Sequence, residues 1–95
     1  MAEIKIFWSD RARTDLEEII EYIAQDSPVA ARNFASKIIA ATSALETFPS
    51  IGRIVPEFGK TDMREILYRN YRIVYQLSED MAKIVTIFHG SRLFT

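Results

Sequence analysis

The sequence predicts an α+β fold, in which an N-terminal strand precedes a two-helix hairpin packed on one face of a mainly antiparallel sheet that ends in a three-strand meander. Two observations carry this prediction. The apolar residues change from an alternating to a helical period after residue 8, and the last third of the chain contains three β-type runs separated by short turns. Because the chain has only 95 residues, we expect residues 1–95 to form a single domain.

The N-terminal strand and the first helix are predicted from the spacing of their apolar residues. Ile4, Ile6 and Trp8 share one face of an alternating segment, which is typical of a short strand. Ser9 then provides a suitable helix N-cap. From Asp10 to Gln25 the apolar residues recur at helical spacing, so this segment is predicted to be an amphipathic helix.

A second helix should follow at once. Ser27 can cap it, and Pro28 suits its first position, where a missing N–H is tolerated. Its apolar stripe continues to about Phe48. The segment from Pro49 to Asp62 contains two prolines and two glycines without a sustained period, so we expect an irregular loop that forms a wall of a functional site.

The last third is predicted to form strands over Met63–Tyr68, Tyr71–Leu77 and Met81–His89. If each turn has two central residues, facing residue numbers sum to about 139 in the first hairpin and about 159 in the second. One face then packs under the helices: Ile66, Tyr68, Tyr71, Ile73, Tyr75, Leu77, Ile84, Thr86 and Phe88. The opposite face carries Glu65, Leu67, Arg72, Val74, Gln76, Lys83, Val85, Ile87 and His89.

The face opposite the helices mixes an apolar stripe with polar groups, and no further sequence remains to cover it. In the assumed register Arg72 faces Ile87, which places Glu65 and His89 diagonally beside it. This grouping predicts a binding surface. The alternative is a solvated cross-strand pair of Glu65 with Arg72, which would contribute little stability.

Other candidates also have a plain structural interpretation. His89 could be an ordinary hydrogen-bonded residue at a strand end, and Arg92 an ordinary solvated charge. Arg53 and Glu57 in the loop could pair with charges of the helices.

Composition narrows the possible functions. The formal net charge is −1, yet residues 15–26 carry five acids and no base, whereas four arginines occur between residues 64 and 92. One histidine and no cysteine cannot supply the usual zinc ligands, and no glycine-rich phosphate loop is present. We therefore expect no metal and no cofactor. Without a secretory leader or an apolar run of about 18 residues, a cytoplasmic protein with no membrane partner is expected.

Three segments carry a family resemblance: FPSIGRIVPE at residues 48–57, MREILYRNYRIVY at residues 63–75 and HGSR at residues 89–92. Together with the order of the predicted elements, they resemble the RelE/ParE superfamily of bacterial toxins over nearly the whole chain. The resemblance implies a toxin of a type II toxin–antitoxin system, held in a hetero-oligomer by a DNA-binding antitoxin similar to ParD or RelB.

The superfamily has two activities, and the resemblance implies different site residues for each. RelE-like members cleave mRNA on the ribosome. For this activity Arg72 and Arg92 would hold phosphate, while Glu57 and His89 resemble the acid–base pair of the YoeB branch. Met63 and Glu65 stand approximately where RelE has catalytic lysines, and no tyrosine follows Arg92. The nuclease set is therefore incomplete.

ParE-like members inhibit DNA gyrase without catalysis, and the two long helices and the quoted loop look more like this branch, which the resemblance favours. Target- or antitoxin-binding residues would then be Arg53, Arg64, Glu65, Leu67, Arg72, Val74, Val85, Ile87, His89 and Arg92. A third possibility is an inactive toxin homologue that survives as an antitoxin-binding module.

Overall fold

A computed structural model describes residues 3–90. Two helices, α1 (Asp10–Asp26) and α2 (Pro28–Ser43), pack on one face of a five-stranded sheet. The sheet has the order β1-β5-β4-β3-β2, with β1 parallel to β5 and the other neighbours antiparallel. Its strands are β1 (Lys5–Trp8), β2 (Arg53–Ile54), β3 (Met63–Tyr68), β4 (Tyr71–Leu77) and β5 (Met81–His89). The predicted fold class and the three meander strands are confirmed.

The helix boundaries follow from local chemistry. The Ser9 side chain accepts a hydrogen bond from the Ala12 N–H, and that of Ser27 accepts one from the Ala30 N–H, so both predicted N-caps are present. The second helix ends earlier than predicted. After Ser43 the chain tightens into a 3-10 turn over Ala44–Glu46, which still buries Leu45 and therefore keeps the apolar spacing that extended the prediction. Neither described helix is long and apolar enough to cross a membrane.

The core lies between the helices and the covered sheet face. Its centre is formed by fully buried side chains, among them Ile38 of α2, Tyr75 of β4 and Ile84 of β5. Phe34 of α2 packs edge-on against Tyr71, with ring centroids 5.1 Å apart. Interactions of this type add to the stability that burial of the rings provides.

The first hairpin has the predicted register, from Met63 opposite Gln76 to Tyr68 opposite Tyr71. The second hairpin keeps its predicted register only near its turn, where Tyr75 faces Ile84. A β-bulge between Val74 and Tyr75 then shifts the pairing by one residue, so that Arg72 faces Phe88 rather than Ile87. Since neighbouring residues of a strand point to opposite faces, this shift exchanges the faces of every later residue of β5.

Asp15 of α1 binds β5 just beyond the bulge. β1 pairs with β5 only as far as Ile84. On that side of β5, the backbone groups beyond Ile84 have no neighbouring strand among the described residues. The Asp15 carboxylate accepts hydrogen bonds from the Ile87 N–H and from the Thr86 hydroxyl. Helix α1 therefore covers the edge of β5 that lies beyond the end of β1.

The segment from Pro49 to Asp62 is not the structureless loop that we predicted. It contains β2, which pairs with Glu65 and Arg64 of β3, and Val55 beyond it is fully buried. Glu57 then contacts Arg72 on the sheet face opposite the helices. This face is therefore partly covered by the chain itself, contrary to the prediction that no sequence remained to cover it.

Tyr75 holds the start of this segment. Its hydroxyl donates to the Pro49 carbonyl oxygen at 2.8 Å and accepts from the Gly52 N–H at 3.0 Å. Arg64 adds three further bonds from its side chain, to the carbonyl oxygens of Ser50, Gly52 and Thr61. The path of the segment between residues 49 and 62 is therefore determined by two side chains of the sheet.

Burial is the main cause that raises the pKa of the Tyr75 hydroxyl, although the Gly52 N–H and the charge of Arg64 act in the opposite direction. Because this pKa lies above that of an unfolded tyrosine, about 10, the associated stability is present below pH ~10 and is lost as the pH rises through the folded-state value. We expect the free energy of unfolding to fall more steeply above pH ~10 in the wild type than in Tyr75→Phe. Urea denaturation across this range measures the difference, and parallel curves would contradict it.

Candidate functional site

Four charged side chains form a connected cluster on the sheet face opposite the helices. Arg72 of β4 donates through Nε to Glu65 of β3 at 2.6 Å, and through its two terminal nitrogens to both oxygens of Glu57 at 2.7 and 2.8 Å. Glu65 accepts a second bond, from Arg53 Nε of β2, at 2.6 Å. The order of contacts is therefore Arg53, Glu65, Arg72, Glu57. We call this set the charged cluster.

The charged cluster is formally neutral, and its two central members, Glu65 and Arg72, are buried. Glu65 is 1% exposed and Arg72 is 7% exposed, so the contact between them is not the solvated surface pair considered as an alternative. The hydrogen bonds that Arg72 donates to Glu57 are the main cause that raises the pKa of the Arg72 guanidinium, with Glu65 adding to it and burial opposing it. Arg72 therefore stays charged. Buried pairs of this kind depend on both partners, since removing one leaves an uncompensated charge.

The bulge separates His89 from this cluster. Phe88, predicted to lie under the helices, instead places its ring 5.1 Å from the Arg72 guanidinium carbon on the opposite face, a cation–π contact. His89 pairs with Tyr71, and their rings meet edge-on at 5.5 Å. The prediction that Arg72 and His89 share a face is wrong. The extra residue in β5 places His89 on the opposite face of the sheet from Arg72.

Arg72 and His89 nevertheless line one cavity, at the end of the sheet. It has a volume of about 340 Å³ and lies beside the turn between β3 and β4. Its other lining residues are Arg53, Leu67, Arg69, Asn70, Tyr71 and Gly90. Three arginines and a histidine line this cavity, with no carboxylate among its lining residues. Two of the arginines, Arg53 and Arg72, already pair with Glu65 and Glu57 of the charged cluster. We call it the cationic cavity.

The remaining predicted binding residues have different environments. Leu67 is 52% exposed, whereas Val74 is fully buried and Ile87 belongs to the core under the helices. Val85 is half-buried at the bulge. Arg64 holds the segment before β3 through three backbone carbonyl groups, so the structure gives it a supporting contact within the chain. Arg92 lies outside the described residues.

Two contacts of this region could not be read from the sequence. Glu57 was a candidate only through the family resemblance. The apolar residues of its loop follow neither helical nor alternating spacing, so the sequence does not show that Glu57 contacts Arg72. Tyr75 was assigned to the core, and nothing in the spacing shows that its hydroxyl binds the loop. Among residues 3–90, no group of three or more potential ligands from histidine and carboxylates could hold a metal ion.

Comparison with known proteins gives a consistent result. Residues 6–94 match the family described as ParE toxin of type II toxin–antitoxin system, parDE. Toxin RelE2 of Caulobacter vibrioides is 33% identical over 90 residues, covering 94% of this chain and 98% of that protein. Putative toxin Y4kP of Sinorhizobium fredii is 36% identical over 92 residues, covering 95% of this chain and 92% of that protein.

Two solved structures share the fold. One is from the chromosomal ParDE toxin–antitoxin system of P. aeruginosa, with a TM-score of 0.74 at 19% identity over 92% of this chain and 96% of that one. The other is from the RelBE2 toxin–antitoxin complex of Mycobacterium tuberculosis, with a TM-score of 0.63 at 14% identity over 92% and 98% of the two chains. The fold, the family match and the similar sequences agree, and the chain belongs to the RelE/ParE superfamily, as a toxin of a type II toxin–antitoxin system.

Proposed function

We propose that this toxin acts in the bacterial cytoplasm, is held inactive in a hetero-oligomer with a cognate antitoxin, and on release inhibits growth by binding DNA gyrase without catalysing a reaction. The match to the ParE family over residues 6–94 supports this choice of target. In this proposal the exposed residues of the cationic cavity, together with Arg92, contact the target.

One observation carries the choice of a binding function over a nuclease. All three nitrogens of the Arg72 guanidinium donate to carboxylates. A phosphate group would have to displace Glu57 from Arg72, and Glu57 would have to leave a bidentate ion pair to accept a proton. RNA cleavage needs cationic groups that are available to the phosphate and a base that is available to the ribose hydroxyl.

Supercoiling of relaxed plasmid by purified gyrase tests the proposal. We expect the purified toxin to inhibit it, and addition of the antitoxin to restore it. Arg92→Ala should require about ten- to a hundredfold more toxin for equal inhibition, as expected for a lost hydrogen bond from a charged group. Arg32→Ala, an exposed change on α2, serves as the matched control. Full gyrase activity at excess wild-type toxin would overturn the proposal.

The alternative function is a ribosome-dependent mRNA endonuclease, in which Arg72 and Arg92 hold phosphate, Glu57 is the base and His89 is the acid. The cationic cavity favours it, because Arg72 and His89 both line that cavity. The name of the relative RelE2 points to the same branch.

Primer extension on translated messages after induction tests this alternative. It would reveal cuts within codons that disappear in His89→Gln and persist in Arg32→Ala. His89→Gln is preferable to Arg72→Ala, because His89 lies outside the charged cluster. Growth arrest without cuts would contradict the nuclease, and induction without any arrest would support the third possibility, an inactive homologue that only binds the antitoxin.

A further inference from the structure

The guanidinium of Arg72 is oriented by contacts other than the one with Glu57. Its Nε donates to Glu65, which is 1% exposed and also accepts a bond from Arg53. The Phe88 ring lies 5.1 Å from the guanidinium carbon, in a cation–π contact. Because these contacts hold the guanidinium, its two terminal nitrogens keep their direction whichever group they bind.

Glu57 binds these two nitrogens in the way that a phosphate group would. Its two carboxylate oxygens accept from the terminal nitrogens of Arg72 at 2.7 and 2.8 Å. A carboxylate and a phosphodiester each present two oxygens and one negative charge to the fork of an arginine. Glu57 therefore occupies, from within the chain, a bidentate site that also fits an external phosphate.

The segment that carries Glu57 lies at the surface. We call residues 56–60 the lid. All five are exposed, and 28% of the Glu57 side chain is accessible to solvent. The lid follows Val55, which is fully buried, and bends at Gly59, where φ is +64°. Segments with little buried surface open at a low cost in free energy, so the lid can leave the sheet while Val55 stays buried.

We infer that the lid is autoinhibitory: the Glu57 carboxylate closes the Arg72 fork, and a phosphodiester group of a nucleic acid opens it by taking the place of Glu57. Because Glu57 is tethered, it competes at an effective concentration on the order of mM. The inference goes beyond the proposed function and does not depend on which target is correct. DNA bound by gyrase and mRNA on the ribosome both present phosphodiester groups.

The cationic cavity beside Arg72 favours a nucleic acid over a small anion. Arg69 and His89 line it together with Arg72. Arg69 forms no ion pair with a carboxylate of residues 3–90, and its guanidinium lies 5.6 Å from the centre of the Tyr68 ring. A chain of phosphates can therefore meet Arg69 while one of them reaches Arg72. Inorganic phosphate cannot make both contacts, so we expect it to open the lid only at higher concentration.

Fluorescence anisotropy with a labelled single-stranded oligoribonucleotide tests the inference on the full-length toxin. Glu57→Gln keeps the size of the side chain and removes its charge. It should bind the oligonucleotide about tenfold tighter than the wild type, which corresponds to a wild-type lid that is closed about nine-tenths of the time. Glu79→Gln is the matched control, because it makes the same change in net charge at an exposed position beyond the other end of β4. It should change the affinity less than about twofold.

Duplex DNA and inorganic phosphate serve as further probes. A gain in affinity for Glu57→Gln with RNA, with DNA or with both supports the lid and identifies the source of the phosphodiester. No gain with either nucleic acid, relative to Glu79→Gln, would overturn the inference. A gain with inorganic phosphate alone would overturn the role of a nucleic acid in opening the lid.

Side-chain NMR locates the contact. When the oligonucleotide is added to the wild type, the signals of the terminal nitrogens of Arg72 should shift more than that of its Nε, which Glu65 holds. Binding that leaves all signals of Arg72 unchanged would also contradict the inference. Gyrase inhibition is measured separately. A Glu57→Gln toxin that inhibits gyrase without any gain in affinity for the oligonucleotides would therefore overturn the lid and leave the proposed target intact.

Discussion

Arg72→Met should lower the free energy of unfolding by about 3 kcal/mol, within the range observed when one partner of a buried ion pair is removed. The substitution leaves Glu65 buried with Arg53 as its remaining described cation, and Arg53 is half exposed to solvent. Glu57 also loses its bidentate partner, which should release the segment between β2 and β3. Urea denaturation at neutral pH measures the loss.

A double variant separates charge from packing. Replacing Glu65 by leucine together with Arg72→Met removes both buried charges, so we expect it to be more stable than Arg72→Met alone. The exposed Arg32→Met provides the control and should change stability by less than about 0.5 kcal/mol. If Arg72→Met proved as harmless as Arg32→Met, the charged cluster would not contribute to stability.

Gly52→Ala should also destabilise the protein by about 3 kcal/mol, through overpacking and the loss of a buried hydrogen bond. A Cβ atom at this position would lie 2.6 Å from the Tyr75 hydroxyl and 2.7 Å from the Glu65 carbonyl oxygen. The second contact is with backbone, which cannot rotate away as a side chain can. The segment after Pro49 would therefore lose its attachment to the sheet. Thermal and urea unfolding measure the effect.

Gly59→Ala is the matched comparison, because it separates steric contact from backbone conformation. Gly59 has φ of +64° and open space around its Cβ position, so the substitution should lower stability only by about 1 kcal/mol. Equal losses at Gly52 and Gly59 would contradict the close approach of Gly52 to Tyr75.

The secondary structure of this protein could largely be predicted because its signals are local. Ser9 and Ser27 act as N-caps, and the two-residue turns at Arg69-Asn70 and Glu79-Asp80 end the strands where expected. These features depend on a few neighbouring residues. The turn at Arg69-Asn70 also lies in one of the segments that carry the resemblance to toxins, which the family match confirms.

The bulge in β5 could not be predicted from the sequence. With or without one extra residue in this strand, the apolar residues alternate in a pattern that is compatible with pairing to β4. Val85, Ile87 and Phe88 are all apolar, so exchanging their faces leaves an equally apolar pattern. In the observed register the Asp15 carboxylate of α1 accepts a hydrogen bond from the Ile87 N–H, a tertiary contact that the alternation along β5 does not show. As a result the predicted grouping of Arg72 with His89 was wrong.

The sequence by itself determined the α+β order, the helix caps and the register of the first hairpin, since each follows from contacts between residues close in the chain. Tertiary structure alone decided how the segment from Pro49 to Asp62 lies. Its position depends on the Tyr75 hydroxyl, 26 residues from Pro49, and on the pairing of Glu57 with Arg72, 15 residues apart. Such contacts do not follow from local spacing, because the strands of the sheet position the groups that bind the loop.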